Sequence, residues 1–174
     1  MHFYSMSTKL KDFRAQMAFA RRVMRSIRAP KGSAKYVVGS LARYSHKLKH
    51  KVIGPTEIPS IKDADILVVL PHKRFLGTLK PPVGAKVRSG GSRRLALTVE
   101  GRKVDVFVAL KEEKPFALLQ YVNSRLKNIA MRKRARVLGL KLNQFGLFRS
   151  GKKLSIRSPK KVLDILGMDA IYTT

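Results

Sequence analysis

Carboxylates interrupt two apolar segments of this chain, and their positions limit how the chain can fold. Asp63 and Asp65 stand one residue apart at the start of the apolar run 66–70, and Asp105 lies inside the run 104–108. Short runs of this kind, rich in Val and Ile, are typical of buried strands. An unpaired carboxylate is costly to bury. A divalent metal ion held by three oxygen ligands would account for all three side chains.

The overall charge indicates the class of partner. The chain has 174 residues, with 38 Lys and Arg against ten acidic residues, and its net charge is +28. Such a field favours nucleic acid, through release of counterions from phosphates, or an anionic membrane surface. The 44% content of hydrophobic residues is enough for a packed core and excludes a disordered basic tail. On composition alone, a non-enzymatic nucleic-acid-binding protein stays open.

The chain has no cysteine, which excludes disulfides and thiolate metal sites. Its apolar runs are far shorter than a bilayer span, and its first residues lack a secretory pattern. We therefore expect a soluble intracellular protein of a reducing compartment, with no membrane partner. Its length suits one domain or two small subdomains that share a core.

The order of sequence patterns predicts an α+β fold. Apolar residues from Leu10 to Ile27 recur at steps of three and four, which indicates a core-facing amphipathic helix over residues 7–28, with Ser7 as N-cap. Ser158-Pro159 begins a last helix that ends at Gly167. The other predicted elements are a strand at 36–38, a basic segment and loop at 44–62, a strand at 66–70, a loop at 71–94, strands at 95–100 and 103–109 joined at Gly101-Arg102, helices at 112–122 and 124–138, and a hairpin of 147–149 with 152–154.

The Asp-x-Asp pair has the geometry of a metal site. On a strand, residues i and i+2 project from the same face, so Asp63 and Asp65 point together across roughly 7 Å of backbone. Mg²⁺ takes oxygen ligands, usually one or two carboxylates with phosphates and water. With Asp105 on a neighbouring strand, the pair would cradle two ions, which stabilise the attacking and leaving oxygens of a phosphoryl displacement. Alternatively, the carboxylates form salt bridges with the many lysines and arginines.

A phosphate-binding pattern upstream favours the metal site. Gly39 follows a strand and lets the backbone approach a phosphate, Ser40 supplies a hydroxyl and an N–H, and Arg43 supplies a fork of donors. Gly-Ser-x-x-Arg after a strand, followed by Asp-x-Asp and then a third Asp, resembles the nucleotidyltransferase superfamily. The resemblance implies an enzyme that transfers a nucleotidyl group.

The carboxyl-terminal third narrows the resemblance to the family X DNA polymerases. Asn128 and Arg132 lie one turn apart on one face of a predicted helix, and residues 142–148 read Leu-Asn-Gln-Phe-Gly-Leu-Phe. Both segments are similar to the nucleotide-binding carboxyl-terminal subdomain of that family. The resemblance covers residues 35–172. It is greatest to minimal viral members, which have a palm and a carboxyl-terminal subdomain without the usual amino-terminal lyase domain.

The resemblance implies two subdomains and a role for each matching residue. Residues 1–110 would form the palm with a basic amino-terminal helix, and residues 111–174 the nucleotide-binding subdomain. Asp63 and Asp65 would bind both metal ions, and Asp105 the ion that activates the primer 3′-hydroxyl. The nucleotide-binding residues would be Gly39, Ser40, Arg43, Tyr121, Asn128 and Arg132. The DNA-binding residues would be Asn143, Gln144, Phe145, Lys127, Lys133 and Arg134.

Some of these roles are more detailed. Asn128 would contact the minor-groove edge of the incoming nucleotide, and Arg132 the template side. Tyr121 would lie under the sugar and help to exclude a ribose 2′-hydroxyl. Residues 143–145 would line a helix that faces the nascent base pair. Lys127 and its basic neighbours would contact backbone phosphates.

Two features depart from the family pattern. The stretch from Gly39 to Asp63 is longer than in familiar members, and we interpret it as an inserted basic loop that touches DNA. A metal site at His46 and His50 lacks an evident third ligand. Asn123 stands where the family usually has glycine in an aromatic-Thr-Gly turn. The resemblance implies that the backbone of this turn selects the sugar, so the departure concerns the preference for deoxyribonucleotides.

The resulting hypothesis is a monomeric template-directed DNA polymerase of the repair type. It would add dNTPs to primer–template or gapped DNA with two Mg²⁺ ions, for which Mn²⁺ could substitute, in a host cytoplasm or virion if the source is viral. No proofreading constellation is visible, and a full lyase domain does not fit before the first palm strand. A nucleotidyltransferase that works without a template, or on RNA or protein, is the alternative enzyme. A non-enzymatic nucleic-acid binder is the further alternative.

Overall fold

The computed structural model describes residues 2–169, and the side chains of residues 8–169. Its helices are α1 (His2–Ser26), α2 (Gly39–Lys49), α3 (Lys114–Val122), α4 (Arg125–Val137) and α5 (Pro159–Leu166). Its strands are β1 (Ala34–Val38), β2 (Ala64–Leu70), β3 (Lys86–Gly90), β4 (Arg94–Val99), β5 (Arg102–Leu110), β6 (Leu140–Asn143), β7 (Gly146–Arg149) and β8 (Lys152–Lys153). Within the described residues, no helix has the length and hydrophobicity needed to cross a bilayer.

A five-stranded mixed sheet forms the centre of the larger part. Its order is β1-β2-β5-β4-β3, with β2 and β5 parallel and the other pairs antiparallel. Successive side chains of a strand point to opposite faces. Ile66 and Val68 therefore pack with α1 on one face, whereas Leu67 and Val69 pack with α3 on the other. The predicted α+β class is confirmed.

Helix α1 packs its apolar stripe against the sheet, as the three-and-four spacing predicts. Phe13, Met17, Ala20 and Ile27 are buried in the main core. The helix begins at His2, so the prediction that Ser7 is its N-cap is wrong. Because the helical turns continue through residues 2–6, Ser7 has no helix end to cap.

Three further local predictions are corrected. The basic segment from residue 44 to 49 is the second half of helix α2 rather than a loop. Strand β3 lies within the predicted loop 71–94. The hairpin of β4 and β5 turns at Glu100 and Gly101, one residue earlier than predicted, because both have positive φ and Val99 pairs with Arg102.

A second hydrophobic core lies in the carboxyl-terminal part. It contains residues of α3, α4, α5 and the three-stranded sheet β6-β7-β8, among them Phe116, Met131 and Leu163. Ser158 caps α5 at its start and Gly167, with φ 61°, ends it, as the sequence predicts. Helix α3 packs on both cores, with Leu118 and Val122 against the five-stranded sheet. The boundary at residue 110 stays a prediction, since α3 belongs to both packing units.

Residues 143–145 do not form a helix. Asn143 ends β6, and Gln144 and Phe145 form the turn into β7. Asn143 Oδ1 accepts hydrogen bonds from the backbone N–H groups of Phe145, at 2.9 Å, and Gly146, at 3.1 Å. An asparagine side chain that bonds the backbone two residues ahead stabilises a turn. The predicted helix at these residues is therefore wrong.

Arg93 connects the two cores. Its guanidinium donates to both carboxylate oxygens of Glu113, at 2.7 and 3.1 Å, and lies 5.2 Å from the centroid of the Phe145 ring. Glu113 is only 6% exposed, and its Oε2 also accepts from the backbone N–H of Leu110 at 2.7 Å. Removing one partner of a buried ion pair leaves a charge without compensation.

We therefore predict that Arg93→Met lowers the free energy of unfolding by about 2–3 kcal/mol, less than for a fully buried pair because Arg93 is partly exposed. Urea unfolding followed by circular dichroism measures the change. Arg22→Met is the control, because Arg22 pairs at 2.7 Å with Glu100 where both side chains are more than half exposed. It should cost less than about 1 kcal/mol. Equal losses in the two variants would show that Glu113 does not depend on Arg93.

Candidate active site

Asp65 and Asp105 are neighbours across the parallel strands β2 and β5. Their Cα positions are paired in register. Alternation along the strands places both side chains on the α3 face, together with Leu67 and Phe107. Asp63 lies one residue before β2 and is exposed, while Asp65 is half-buried. Two of the three predicted catalytic carboxylates, Asp65 and Asp105, are thus adjacent on the sheet, and Asp63 lies just before strand β2.

Gly39 is in close contact with the carboxylate of Asp65. It has a φ of +65°, and a Cβ built at this position would lie 2.0 Å from Asp65 Oδ2. Any side chain here would combine a strained backbone with a clash against the carboxylate. Gly39 is also the first residue of α2, so the start of that helix is held directly against Asp65.

Burial and negative neighbours raise the pKa of Asp65 to about 6. Desolvation is the largest cause, followed by repulsion from Asp105 and then from Asp63. The guanidinium groups of Arg43 and Arg94 act in the opposite direction and lower it. A carboxyl group with this pKa gains stability from any cation placed beside it.

Two arginines from strands β3 and β4 contact Asp105. Arg94 Nη2 donates to Asp105 Oδ2 at 3.1 Å, and Arg88 Nη2 lies 3.9 Å from Asp105 Oδ1. Asp105 Oδ1 is buried and accepts no hydrogen bond from the described residues. A buried acceptor of this kind suits a cation ligand. The carboxylates of Asp65 and Asp105 therefore fit a hard divalent cation, because they offer oxygen ligands and because Asp105 Oδ1 accepts no hydrogen bond from the described residues.

No group of three or more carboxylate, imidazole or thiol side chains among the described residues is arranged to hold a metal ion by itself. Mg²⁺ commonly takes one or two protein carboxylates and completes its shell with phosphates and water. Asp65 and Asp105 satisfy that smaller requirement. His46 and His50, which the sequence left without a third ligand, contact each other with ring centroids 4.2 Å apart and ring planes tilted by 32°.

Ser40 and Arg43 lie in the first turn of α2, beside Gly39. Arg43 Nη2 donates to Ser40 Oγ at 2.8 Å, and Arg43 Nη1 donates to the carbonyl oxygen of Val122 at 3.1 Å. These bonds orient the guanidinium next to Asp65. The three residues of the Gly-Ser-x-x-Arg pattern are therefore brought together at the edge of the carboxylate pair.

Tyr121 packs on the same face of the sheet as the carboxylates. Its ring stacks on Phe107 with centroids 4.1 Å apart, and burial raises the pKa of its phenol. Asn123, at the end of α3, is buried and has φ −72°, so the backbone there does not need glycine. Its amide nitrogen lies 3.9 Å from Met131 Sδ. The side chain of Asn123 is thus part of the packing between α3 and α4.

Asn128 and Arg132 both contact Gln120 at the end of α3. Asn128 Nδ2 donates to the Gln120 carbonyl oxygen at 2.7 Å, and Arg132 Nη2 donates to Gln120 Oε1 at 2.8 Å. Asn128 is 8% exposed, and its Oδ1 is buried without a hydrogen-bond partner among the described residues. Asn128 and Arg132, two of the predicted nucleotide-binding residues, therefore lie on one side of α4 and are held there by Gln120.

The predicted DNA-binding residues occupy different environments. Phe145 is exposed at the turn before β7 and lies under Arg93. Lys133 is exposed on α4, and Lys127 and Gln144 are half-buried. Arg134 Nε donates at 2.9 Å to the carbonyl oxygen of Leu166, so this side chain caps the end of α5.

Sequence reasoning missed the arginines beside Asp105. Arg88 lies at a register shift between β3 and β4, where a bulge re-aims the side chain, and its Nε donates to Leu97 O at 3.2 Å. Arg94 pairs in register with Phe107, two residues from Asp105. Arg88 stands in strand β3, whose fully exposed residues give no sequence pattern that distinguishes the strand from a loop.

Comparisons with known proteins agree with this geometry. Residues 117–172 match the model of the DNA polymerase beta thumb. The "Repair DNA polymerase X" of African swine fever virus is 32% identical in a South African tick isolate and 31% in a Namibian warthog isolate. Each match covers 118 residues, 62% of this chain and 68% of the viral protein. The chain belongs to the family X DNA polymerases.

A solved structure shows the same fold. The crystal structure titled "Leishmania infantum polymerase beta: Ternary P/T complex" matches with a TM-score of 0.61 and 18% identity, over 99% of this chain and 77% of that one. The predictions of a family X polymerase, and hence of an enzyme, are confirmed. Sequence similarity reaches beyond the thumb, since 118 matched residues exceed the 56 of the thumb match.

The contact between Gly39 and Asp65 predicts the effect of a single methyl group. Gly39→Ala should lower nucleotide incorporation by about 100-fold or more, because the added Cβ displaces Asp65 or the start of α2. Gly77→Ala is the matched control, since Gly77 also has positive φ, 82°, but no atom within 4 Å of a built Cβ. Single-nucleotide incorporation assays and thermal unfolding of both variants separate the clash from backbone strain. Equal activity in the two variants would contradict the contact.

The causes of the raised pKa of Asp65 predict which of two substitutions lowers that pKa further. Without metal, Asp105→Asn should lower that pKa further than Asp63→Asn, because Asp105 is the stronger of the two carboxylate repulsions. Carbon-13 NMR titration of the carboxyl carbons measures both.

Since the folded-state pKa is raised from 3.8 to about 6, the contribution of Asp65 to stability is complete below the lower value and is lost as pH rises through the higher one. Asp105→Asn should weaken that loss. An unchanged titration of Asp65 would show that the two carboxylates do not interact.

Proposed function

We propose that this family X member is a template-directed repair polymerase that adds dNTPs to a primer 3′-hydroxyl on gapped or nicked DNA. The observation that carries the proposal is the in-register pair of Asp65 and Asp105, with Gly39 against the first of them. A site built from two close carboxylates in a chain of net charge +28 suits a reaction between polyanions, where charge must be placed at particular oxygens.

Asp65 and Asp105, with Asp63 at the entrance, would hold two Mg²⁺ ions, or Mn²⁺ in their place. When bound, such ions stabilise charge on the attacking and leaving oxygens of an in-line phosphoryl displacement. The buried Asp105 Oδ1, which accepts no hydrogen bond from the described residues, supports cation binding by this carboxylate. Arg94 and Arg88 approach Asp105 at 3.1 and 3.9 Å and compensate part of its charge. These arginines would have to release the carboxylate or turn toward phosphate oxygens.

The first turn of α2 would receive the triphosphate. Gly39 leaves room for a phosphate because it has no side chain, and Ser40 offers its hydroxyl. Arg43 already points toward this turn through its bond with Ser40, so little side-chain freedom is lost on binding. The chain's own contribution is thus to position the reacting groups and to supply charge.

Helix α4 and the hairpin of β6 and β7 would read the nascent base pair. Asn128 would contact the minor-groove edge of the nucleotide and Arg132 the template side, which their shared contacts with Gln120 support by holding the two side chains together. Phe145, exposed at the turn, would pack against the DNA. Tyr121, stacked on Phe107, would lie below the sugar. The exposed Lys133 would contact phosphates, and binding would therefore weaken with salt.

One experiment tests this function. Primer extension is measured with each of the four dNTPs separately on gapped DNA of four template bases, for the unaltered protein and for Asp105→Asn. We expect incorporation to follow the template base, and the variant to lose at least roughly 100-fold in rate while it still binds DNA. Asp164→Asn is the control, because among the described residues the Asp164 carboxylate pairs only with Lys160, on the exposed face of α5.

The other outcomes identify the alternatives. Incorporation that ignores the template base would indicate a template-independent nucleotidyltransferase, since Gly39, Ser40 and Arg43 fit such enzymes almost as well. Full activity in Asp105→Asn would remove Asp105 from the reaction. DNA binding without any incorporation by the unaltered protein would contradict the proposed reaction on gapped DNA.

A further inference from the structure

A groove runs along the free edge of strand β1, outside the carboxylate site. Strand β1 is the last strand on one side of the five-stranded sheet. Helices α1, α2 and α3 rise around it and enclose about 510 Å³, within the range of small-molecule pockets, about 300–1,000 Å³. Asp65 and Asp105 do not line this β1-edge groove. The groove is therefore a different place on the molecule from the carboxylate pair.

Positive charge lines the rim of the groove from three elements. Arg21 comes from α1, Lys35 from β1 and Lys49 from α2, and no carboxylate is among the described residues that line it. Arg21 and Lys49 are exposed, whereas Lys35 is half-buried and donates to the carbonyl oxygen of Ile27. Such a concentration of cations without a counter-charge attracts a phosphate group.

Ring systems and apolar side chains form the rest of the groove. His46 and His50 lie one turn apart on α2, with their ring centroids 4.2 Å apart and their planes tilted by 32°. Tyr36 lies on β1 with the ammonium of Lys114 at 5.0 Å from its ring centroid. Met24 belongs to the apolar floor. A bare phosphate would leave this ring and apolar surface uncovered, whereas a nucleobase would cover it.

We propose that the β1-edge groove binds a nucleotide unit, with its phosphate on Arg21 and Lys49 and its base against the rings of Tyr36, His46 and His50. The combination of cations with ring platforms is that of single-strand binding surfaces, which hold the backbone by charge and the bases by stacking. The unit could come from a free nucleotide or from a single-stranded segment of nucleic acid. The chemistry that recognises it is the same in both cases.

The test uses the full-length protein and two probes, dTMP and a fluorescein-labelled octathymidylate. Arg21→Ala/Lys49→Ala removes two cations from the groove, and Lys73→Ala/Lys103→Ala removes two exposed cations elsewhere. Fluorescence polarisation should show at least about 10-fold weaker binding of octathymidylate to the first variant and less than about 3-fold to the second. The salt dependence should lose about two phosphate contacts in the first variant only. Thermal unfolding confirms that both variants fold.

Photocrosslinking of the unaltered protein tests the position independently. Octathymidylate carrying 5-iododeoxyuridine should crosslink to Tyr36, His46 or His50, as mapped by mass spectrometry of the peptides. Isotope-edited NMR with dTMP then separates the sources. Saturable shifts at the groove that Arg21→Ala/Lys49→Ala abolishes support a free nucleotide as ligand. Binding of octathymidylate alone supports a strand.

Four results would overturn the proposal. The two double variants could weaken binding equally, which would show that Arg21 and Lys49 act only through the net charge of the protein. Crosslinks could fall entirely outside the groove. Inorganic phosphate could displace dTMP at equal concentration, which would leave the base without a role. An octaglutamate peptide could bind the groove as tightly as octathymidylate, which would assign the surface to acidic protein segments.

Discussion

The parallel pairing of β2 with β5 determines most of what surrounds the site. In this register Asp65 lies beside Asp105, and Leu67 beside Phe107. All four side chains face α3, so the pairing that buries that helix also brings the carboxylates together. A slip by one residue would turn them toward α1 and expose the apolar residues that pack there. Packing energy therefore maintains a carboxylate pair that electrostatics alone would separate.

The electrostatics of this pair depend on cations from three other elements. Arg43 of α2 and Arg94 of β4 lower the pKa of Asp65, which burial and the neighbouring carboxylates raise. Arg94 and Arg88 also approach Asp105. The site thus compensates part of its negative charge without a metal, and leaves Asp105 Oδ1 without a hydrogen-bond donor. A bound cation would add the compensation that the arginines leave incomplete.

The sequence predicted those parts of the fold whose signal is local. The apolar runs around Asp65 and Asp105 marked β2 and β5, and Ser124 and Ser158 marked the starts of α4 and α5, where their side chains accept backbone hydrogen bonds. Strand β3 was missed because all its residues are exposed, so it has no apolar alternation. The turn at Asn143 was mistaken for a helix because its determinant is a single side chain, whose Oδ1 accepts two backbone hydrogen bonds. Arg88 depends on a bulge, which no periodicity reveals.

Two consecutive arginines connect the carboxylate site with the carboxyl-terminal subdomain. Arg93 binds the buried Glu113 and lies over Phe145, while Arg94 binds Asp105 and lies 5.6 Å from the Phe107 ring centroid. The carbonyl oxygen of Arg93 also accepts from Val108 N–H at 2.9 Å, which fixes this step to β5. Because Arg93 and Arg94 are adjacent in the chain, one step of backbone connects both places. A displacement of the Phe145 hairpin that moved Arg93 would therefore act on the backbone that carries Arg94 and its bond to Asp105.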